Sequence, residues 1–453
     1  MNEQLKNITP DIFLYHGLII FGELLVISVL VHMLYNRRSP ASIIAWLLSM
    51  ILLPYVSAVL YFIFGSRKRK NRYKKESMKL QNGKFVYNIF NTTKNRELIL
   101  YTDSTKVYET FMQCIEESQN SIYISTYIFG YDEVTKKIIK ALTKKAKDGV
   151  KVKILIDSLG SIILYLFQNR LKELRDAGVR IEFFMPIFEM PFRNYINLRN
   201  HRKIYIFDDK KVLSGGINLS NEYLGEKYSK KRWEDIMFLI EGSSVEHFFD
   251  VFASDWFYAS KEKLDFTNNY KEEQGEIFLQ VIPSGPDVDR DTLYEMLLSA
   301  IYLAKEKIYI ITPYFIPNNA LIQALIIAHH RGVDIKLVTP KESNHTIVNL
   351  VRSSYMRELE ESGIEIYLYN GSMLHAKAML FDEECVMLGS VNFDNRSLFL
   401  NYEIATFVYS KNTIKEIDLW VQTLLQNSSL GTKEVSAPKR IFENLMRVLA
   451  PQL

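Results

Sequence analysis

The chain has 453 residues, enough for one large or two medium domains beyond any membrane segment, and its 48% apolar content excludes a largely disordered chain. A formal charge of +4 is too small for a general nucleic-acid binder, so where the charge sits matters more than its sum. Two cysteines, Cys114 and Cys385, have neither the density of a disulfide scaffold nor the spacing of a zinc site, and they suit a reducing compartment.

Residues 12–34 read IFLYHGLIIFGELLVISVLVHML, and residues 41–64 read ASIIAWLLSMILLPYVSAVLYFIF. Each run is long enough for a helix to cross about 30 Å of hydrocarbon, which predicts two transmembrane helices. The first run carries Glu23 with His16 on the same face, and an anchoring or packing role is expected for this carboxylate rather than catalysis. The connection between the runs has only Arg37 and Arg38, whereas GSRKRKNRYKK follows the second run at residues 65–75. This bias predicts a multi-pass cell-membrane protein whose downstream domain is cytoplasmic, with a basic collar facing anionic lipid. Residues 1–75 are therefore the expected membrane anchor.

From about Tyr101 short β-like runs alternate with helical stretches. SIYISTYIF, TKKIIKALTKKAKDGV, KVKILID and QNRLKELRDAGVRIEFF form one round. KIYIITPYFI, NALIQALIIAHHRGV, DIKLVTP and SSYMRELEESGIEIYLY form a second. The β-α-β rhythm predicts an α/β fold, and its recurrence predicts a duplicated, bilobal one. In LRDAGVRIEFF and LEESGIEIYLY a glycine is expected to end the helix before the next strand. The polar passage EKLDFTNNYKEEQGE suits the connection, giving halves at residues 76–265 and 266–453 whose sheets bring their sites into one cleft.

Each round ends on the same string. Residues 201–218 read HRKIYIFDDKKVLSGGIN, and residues 375–392 read HAKAMLFDEECVMLGSVN. Without a gap, His201 aligns with His375, Lys203 with Lys377, Asp208 with Asp382, Gly215 with Gly389 and Asn218 with Asn392. In an extended strand, residues two apart share a face, so each histidine and its lysine converge on one ligand, with Ile204, Ile206, Ala378 and Leu380 anchoring the other face. The repeated string groups Asp208 and Asp382 with the catalytic histidines and lysines, but both fall at expected hairpin turns, where backbone support is favoured over direct chemistry. The glycines are expected to let the backbone pass close to a ligand, and the Asn218 and Asn392 amides to donate to phosphate oxygens.

Paired histidines suit a two-step displacement at phosphorus: one imidazole attacks, while the other protonates the departing alkoxide and then deprotonates the incoming alcohol. Lys203, Lys377 and the two asparagines would stabilise the phosphoryl oxygens. No dense set of carboxylates accompanies them, so the scheme calls for no metal and no other cofactor. Each imidazole also wants a carboxylate at its other nitrogen. Asp235 follows the first copy, with Glu222 as its nearest competitor, and Glu403 follows the second. The unrepeated His247, His329, His330 and His345 are read as structural or surface residues.

The doubled H-x-K-x4-D string, each with a GG or GS element and an asparagine, resembles the phospholipase D superfamily over residues 101–430. Within it, RNHRKIYIFD, GGINLSNEYLG, TPYFIP, LHAKAMLFD and GSVNFDNRS are similar to the bacterial cardiolipin synthases. The resemblance implies a metal-independent phosphohistidine route with His201 as nucleophile and His375 as acid and base, and Asp235 and Glu403 orienting the histidines. It also implies transfer of a phosphatidyl group between two phosphatidylglycerol molecules. The expected partners are phosphatidylglycerol and anionic membrane lipid, not nucleic acid. Duplication removes the need for a dimer to assemble the site, and the sequence does not fix the oligomeric state. Hydrolysis or head-group exchange would use the same residues, and a non-enzymatic membrane adaptor would need no shared cleft.

Overall fold

The computed structural model describes residues 2–35, 40–64, 92–188, 197–267, 275–288 and 291–447. The Arg37–Arg38 connection, the basic collar at 65–75 and part of the inter-half passage lie outside these residues. The chain divides into two compact units, Met1–Arg67 with Phe188–Asn197, and Lys68–Ile187 with Leu198–Leu453.

The smaller unit holds α1 (Asn2–Tyr35), α2 (Pro40–Leu52) and α3 (Pro54–Phe64). Val29, Met33, Met50, Ala58 and Tyr61 form its buried centre, with His32 Nδ1 2.7 Å from the Tyr61 hydroxyl. Among the described residues one helix, through Ile12–Tyr35, is long and apolar enough to cross a membrane. The second apolar run, expected as one helix, is divided into α2 and α3. Pro54 has no amide hydrogen to continue the helical ladder, so the second run breaks at Leu53. The Ser57 hydroxyl donates to the Ser49 carbonyl across that break at 2.8 Å. At 13 and 11 residues, neither piece reaches across a bilayer alone. Glu23 is exposed on α1, not buried.

The larger unit is organised by one 15-stranded sheet. Its first half contributes β1 (Thr93–Tyr101), β2 (Ser121–Thr126), β3 (Lys151–Asp157), β4 (Arg180–Phe184), β5 (Ile204–Phe207), β6 (Lys211–Gly215) and β7 (Met237–Gly242). The second contributes β8 (Ile277–Ser284), β9 (Lys307–Ile311), β10 (Phe315–Ile316), β11 (Asp334–Pro340), β12 (Glu365–Tyr369), β13 (Ala378–Phe381), β14 (Cys385–Gly389), β15 (Phe393–Asp394), β16 (Glu403–Val408) and β17 (Ser428–Leu430). The first half runs β1-β7-β6-β5-β2-β3-β4 outward from the middle, and the second runs β8-β16-β14-β13-β9-β11-β12 before adding β17. The two orders correspond strand for strand. Their seam is antiparallel, with Thr93 opposite Leu279 and Asn95 opposite Ile277. The duplication therefore folds as two related halves sharing one sheet. β10 and β15 form a separate parallel pair.

Helices cover the sheet: α4 (Ser104–Glu117), α5 (Glu133–Lys147), α6 (Ile162–Leu166), α7 (Lys172–Asp176) and α8 (Ser244–Ser260) in the first half. The second adds α9 (Thr292–Leu303), α10 (Asn319–His330), α11 (Thr346–Glu361), α12 (Asn395–Phe399), α13 (Lys411–Gln426) and α14 (Ala437–Met446). The start of α5 shows why these residues turn helical. Asp132 accepts from the Val134 and Thr135 amides, Thr135 Oγ1 accepts from the Asp132 amide, and Ile138, Ile139 and Leu142 then form a buried stripe. Gly178 and Gly363 end their helices at φ +93° and +94°, a left-handed turn that a side chain disfavours. The C-terminal α14 packs on α11 through ion pairs of Arg357 with Glu443 and of Glu361 with Arg440.

Candidate active site

The two histidine–lysine pairs sit in extended segments just before β5 and β13 rather than inside the strands. Each segment is stitched to the opposite half. Asn200 bridges to Tyr402 and Leu374 bridges to Glu234. The His201 amide donates to the Tyr402 carbonyl at 2.9 Å, and the His375 amide to the Glu234 carbonyl at 2.7 Å. Tyr402 and Glu234 immediately precede Glu403 and Asp235, so these bridges decide which carboxylate meets which ring. His375 Nδ1 lies 2.6 Å from Asp235 Oδ2, and His201 Nδ1 lies 3.5 Å from Glu403 Oε1. The two carboxylates singled out from the sequence each lie beside an imidazole, but the pairing is crossed. Neither histidine takes the carboxylate that follows its own copy. Glu222, the competitor to Asp235, stands instead at the cavity wall.

The local cause of the Asp-versus-Glu difference is the GG-versus-GS difference. A Cβ on Gly216 would lie 2.1 Å from Asp235 Oδ1, so only a glycine leaves room for that carboxylate. The aligned Ser390 uses its hydroxyl to donate to Glu403 Oε2 at 2.5 Å. Gly215 and Gly389 do not face a ligand as expected. A Cβ there would meet the Ile236 and Ile404 carbonyls at 2.4 and 2.2 Å, so these glycines let neighbouring strands close up.

His201, Lys203, Asn218, His375, Lys377 and Asn392 line one cavity of about 890 Å³. Burial first, then the nearby lysines, holds both imidazoles in the neutral form: His201 well below its usual range, and His375 at about 4 despite Asp235. Burial also draws Lys203 down to about 8 and Lys377 to about 7. Burial opposes ionisation of Asp235, but Lys377 and His375 outweigh it and its pKa falls. For Glu403 burial prevails over Lys203, and its pKa rises to about 7. Asn218 Oδ1 accepts from the Ile128 amide at 3.1 Å, which fixes the side chain.

Asp208 and Asp382 do not line the cavity, and their contacts are those of backbone support. Both have positive φ, 52° and 51°, at their turns. Asp208 accepts from the Gln119, Asn120 and Ser121 amides at 2.8, 2.6 and 2.9 Å. Asp382 repeats this with the Lys305, Glu306 and Lys307 amides. Each carboxylate thus caps the chain entering β2 or β9.

Several residues escaped the sequence reading. Arg199 and Arg202 flank His201, and both are fully buried. Arg199 pairs with Asp157 at 3.3 Å. Arg202 pairs with Asp255 at 2.8 Å and Asp287 at 3.2 Å and donates to the Ser284 and Glu403 carbonyls, tying the halves together. The signal was two arginines beside a histidine at the entry to an apolar strand. Aromatic rings frame the imidazoles: Tyr127 lies 4.0 Å from the His201 ring, and Tyr223 and Trp233 each 5.1 Å from His375. Asp394 and Arg396 also line the cavity, as does His345, read from sequence as structural or surface.

The family described as "Cardiolipin synthase, PLD-like domain" matches residues 111–256 and 297–425, one match in each half. A second family, "Phospholipase_D-nuclease N-terminal", matches residues 24–66. A cardiolipin synthase of Clostridium perfringens is 32% identical, the match covering 92% of this chain and 95% of that one. Cardiolipin synthase 1 of Bacillus anthracis is 30% identical over 98% and 96% of the two chains. In fold, the chain resembles the crystal structure of phosphatidylserine synthase from Haemophilus influenzae with a TM-score of 0.62, covering 80% of this chain and 97% of that one at 14% identity.

Proposed function

The chain belongs to the PLD-like cardiolipin synthase family, and from that premise we propose that it moves a phosphatidyl group from one phosphatidylglycerol to the terminal hydroxyl of a second, releasing glycerol. The observation that carries the mechanism is the single cavity in which both imidazoles meet two lysines and two asparagines. Neutral His201 attacks phosphorus through Nε2, the bond to the glycerol oxygen breaks, and His375 gives that oxygen its proton. His375 then takes the proton of the acceptor hydroxyl, whose oxygen attacks phosphorus as the P–N bond breaks and His201 is restored. Lys203 and Lys377 hold the non-bridging oxygens through both steps. The same lysines depress the histidines in the empty cavity, and a bound phosphodiester anion offsets them, allowing His375 to carry a proton.

The anchor serves the substrate, since a lipid held at the bilayer need not take its acyl chains through water. We assign residues 1–75 to that anchor and residues 76–265 and 266–453 to the two catalytic halves. The basic excess at 65–75 favours a cytoplasmic catalytic unit. The multi-pass arrangement has α1 cross the membrane and the kinked α2–α3 run return, a break tolerated within membrane helices.

Full-length protein in phosphatidylglycerol vesicles tests the reading. Equimolar cardiolipin and glycerol are expected; phosphatidic acid would mean hydrolysis, and no turnover would mean an adaptor.

A further inference from the structure

The two motif copies part company four residues after their asparagines: Glu222 follows Asn218, whereas Arg396 follows Asn392. Both side chains line the catalytic cavity, so this is a chemical difference inside an otherwise repeated site. Glu222 belongs to a cluster on the His375 side. The Trp233 amide donates to the Glu222 carbonyl at 2.8 Å. The Trp233 and Tyr223 rings lie 4.7 Å apart, and each is 5.1 Å from His375. Among the described residues, neither the Glu222 carboxylate nor the Trp233 indole N–H has a hydrogen-bond partner. A free acceptor and a free donor therefore stand beside two aromatic rings and the imidazole that handles the alcohol proton.

We propose that Glu222, Trp233 and Tyr223 form a subsite for the vicinal diol of a glyceryl group, used by the departing glycerol and by the head group of the acceptor lipid. The inference rests on the two-step transfer proposed above. In-line attack by His201 expels the leaving oxygen toward His375, and the acceptor hydroxyl must enter from that same side. The glyceryl carbons then lie against the aromatic rings, and the hydroxyls not in reaction donate to the Glu222 carboxylate, a charge-assisted bond. A carboxylate here favours neutral polyols and repels a second anion brought too close. At the corresponding place in the other copy, Arg396 would lack the acceptor a diol needs.

The test measures transfer from phosphatidylglycerol vesicles to labelled glycerol and to 1-propanol, which lacks both spare hydroxyls, alongside cardiolipin formation, for the wild-type chain, Glu222→Gln and Glu222→Ala. The glycerol-over-propanol preference should fall about tenfold in Glu222→Ala, the worth of one hydrogen bond to a charged acceptor, and cardiolipin formation should fall with it. Glu222→Gln keeps a neutral acceptor and should lie between. Because the readout is a ratio within each variant, loss of folded protein cancels. An unchanged preference in Glu222→Ala, with transfer to both alcohols intact in the wild type, overturns the subsite and leaves the function standing. Loss of glycerol transfer with wild-type cardiolipin formation overturns the acceptor role. A wild-type chain that transfers to no alcohol overturns the function itself.

Discussion

The two motif copies share five residue types at identical offsets, yet they build unequal halves of one site. His375 is held tightly, 2.6 Å from a carboxylate kept ionised by its neighbours, with two aromatic rings packed beside it. His201 is looser, 3.5 Å from a glutamate whose pKa is pushed up to about 7, and its strand entry is clamped by buried Arg199 and Arg202. The aligned neighbours of His375 are Met373 and Ala376, with no charge to clamp. Duplication supplied the symmetric parts, and the differences lie in what surrounds each ring. An imidazole that must give up a proton and then take one back benefits from a firmly ionised partner. One that forms a bond to phosphorus needs chiefly to be neutral and well aimed. The asymmetry thus favours His201 as nucleophile and His375 as acid and base.

This comparison can be broken by unequal mutational effects. Asp235→Asn removes the ionised partner of the proton-handling histidine, and kcat should drop about 10³-fold. Glu403→Gln should cost nearer tenfold, because a glutamate with its pKa pushed up to about 7 is only partly ionised at neutral pH. Equal losses, or the reverse order, measured as steady-state kcat in vesicles, would undo the assignment.

The lysines give a smaller effect that depends on pH. A lysine is charged below its pKa and loses its hold on phosphate as pH rises through it. With Lys377 at about 7 and Lys203 at about 8, kcat/KM should fall on the alkaline side across that window. Lys377→Arg keeps its charge, so its alkaline limb should move to higher pH even if its maximum is lower. A limb that does not move would assign the transition to another group.

The smallest effect on chemistry is expected at the two aspartates, and it should be equal in the two copies. Asp208→Ala and Asp382→Ala each strand three backbone amides, which should cost about 2 kcal/mol of unfolding free energy in denaturant titrations. The folded fraction should keep near-normal kcat. A large kcat loss in soundly folded protein would return these residues to the chemistry.

Much of the site was legible because the chemistry is written twice. The offsets from His201 to Asn218 and from His375 to Asn392 identified the cavity's core, and Gly178 and Gly363 marked helix ends correctly. The crossed partnership of Asp235 and Glu403 was not legible. Chain order places each carboxylate after its own histidine, whereas the Asn200–Tyr402 and Glu234–Leu374 bridges reverse the pairing in space. Asp208 and Asp382 were readable as turn residues, though the motif had grouped them with the catalytic set. Pro54 should have warned against a second unbroken helix, but the hydropathy of its surroundings masked it. The aromatic rings near the histidines lie in runs where core packing was the equally ordinary explanation.

The most direct measurement is capture of the covalent intermediate. Full-length His375→Asn protein, mixed with phosphatidylglycerol labelled in its phosphate and quenched under denaturing alkaline conditions, should carry label on His201 alone, and His201→Asn protein should carry none. Label on His375 in the His201 variant, or none in either variant or in the wild type during turnover, would contradict the account.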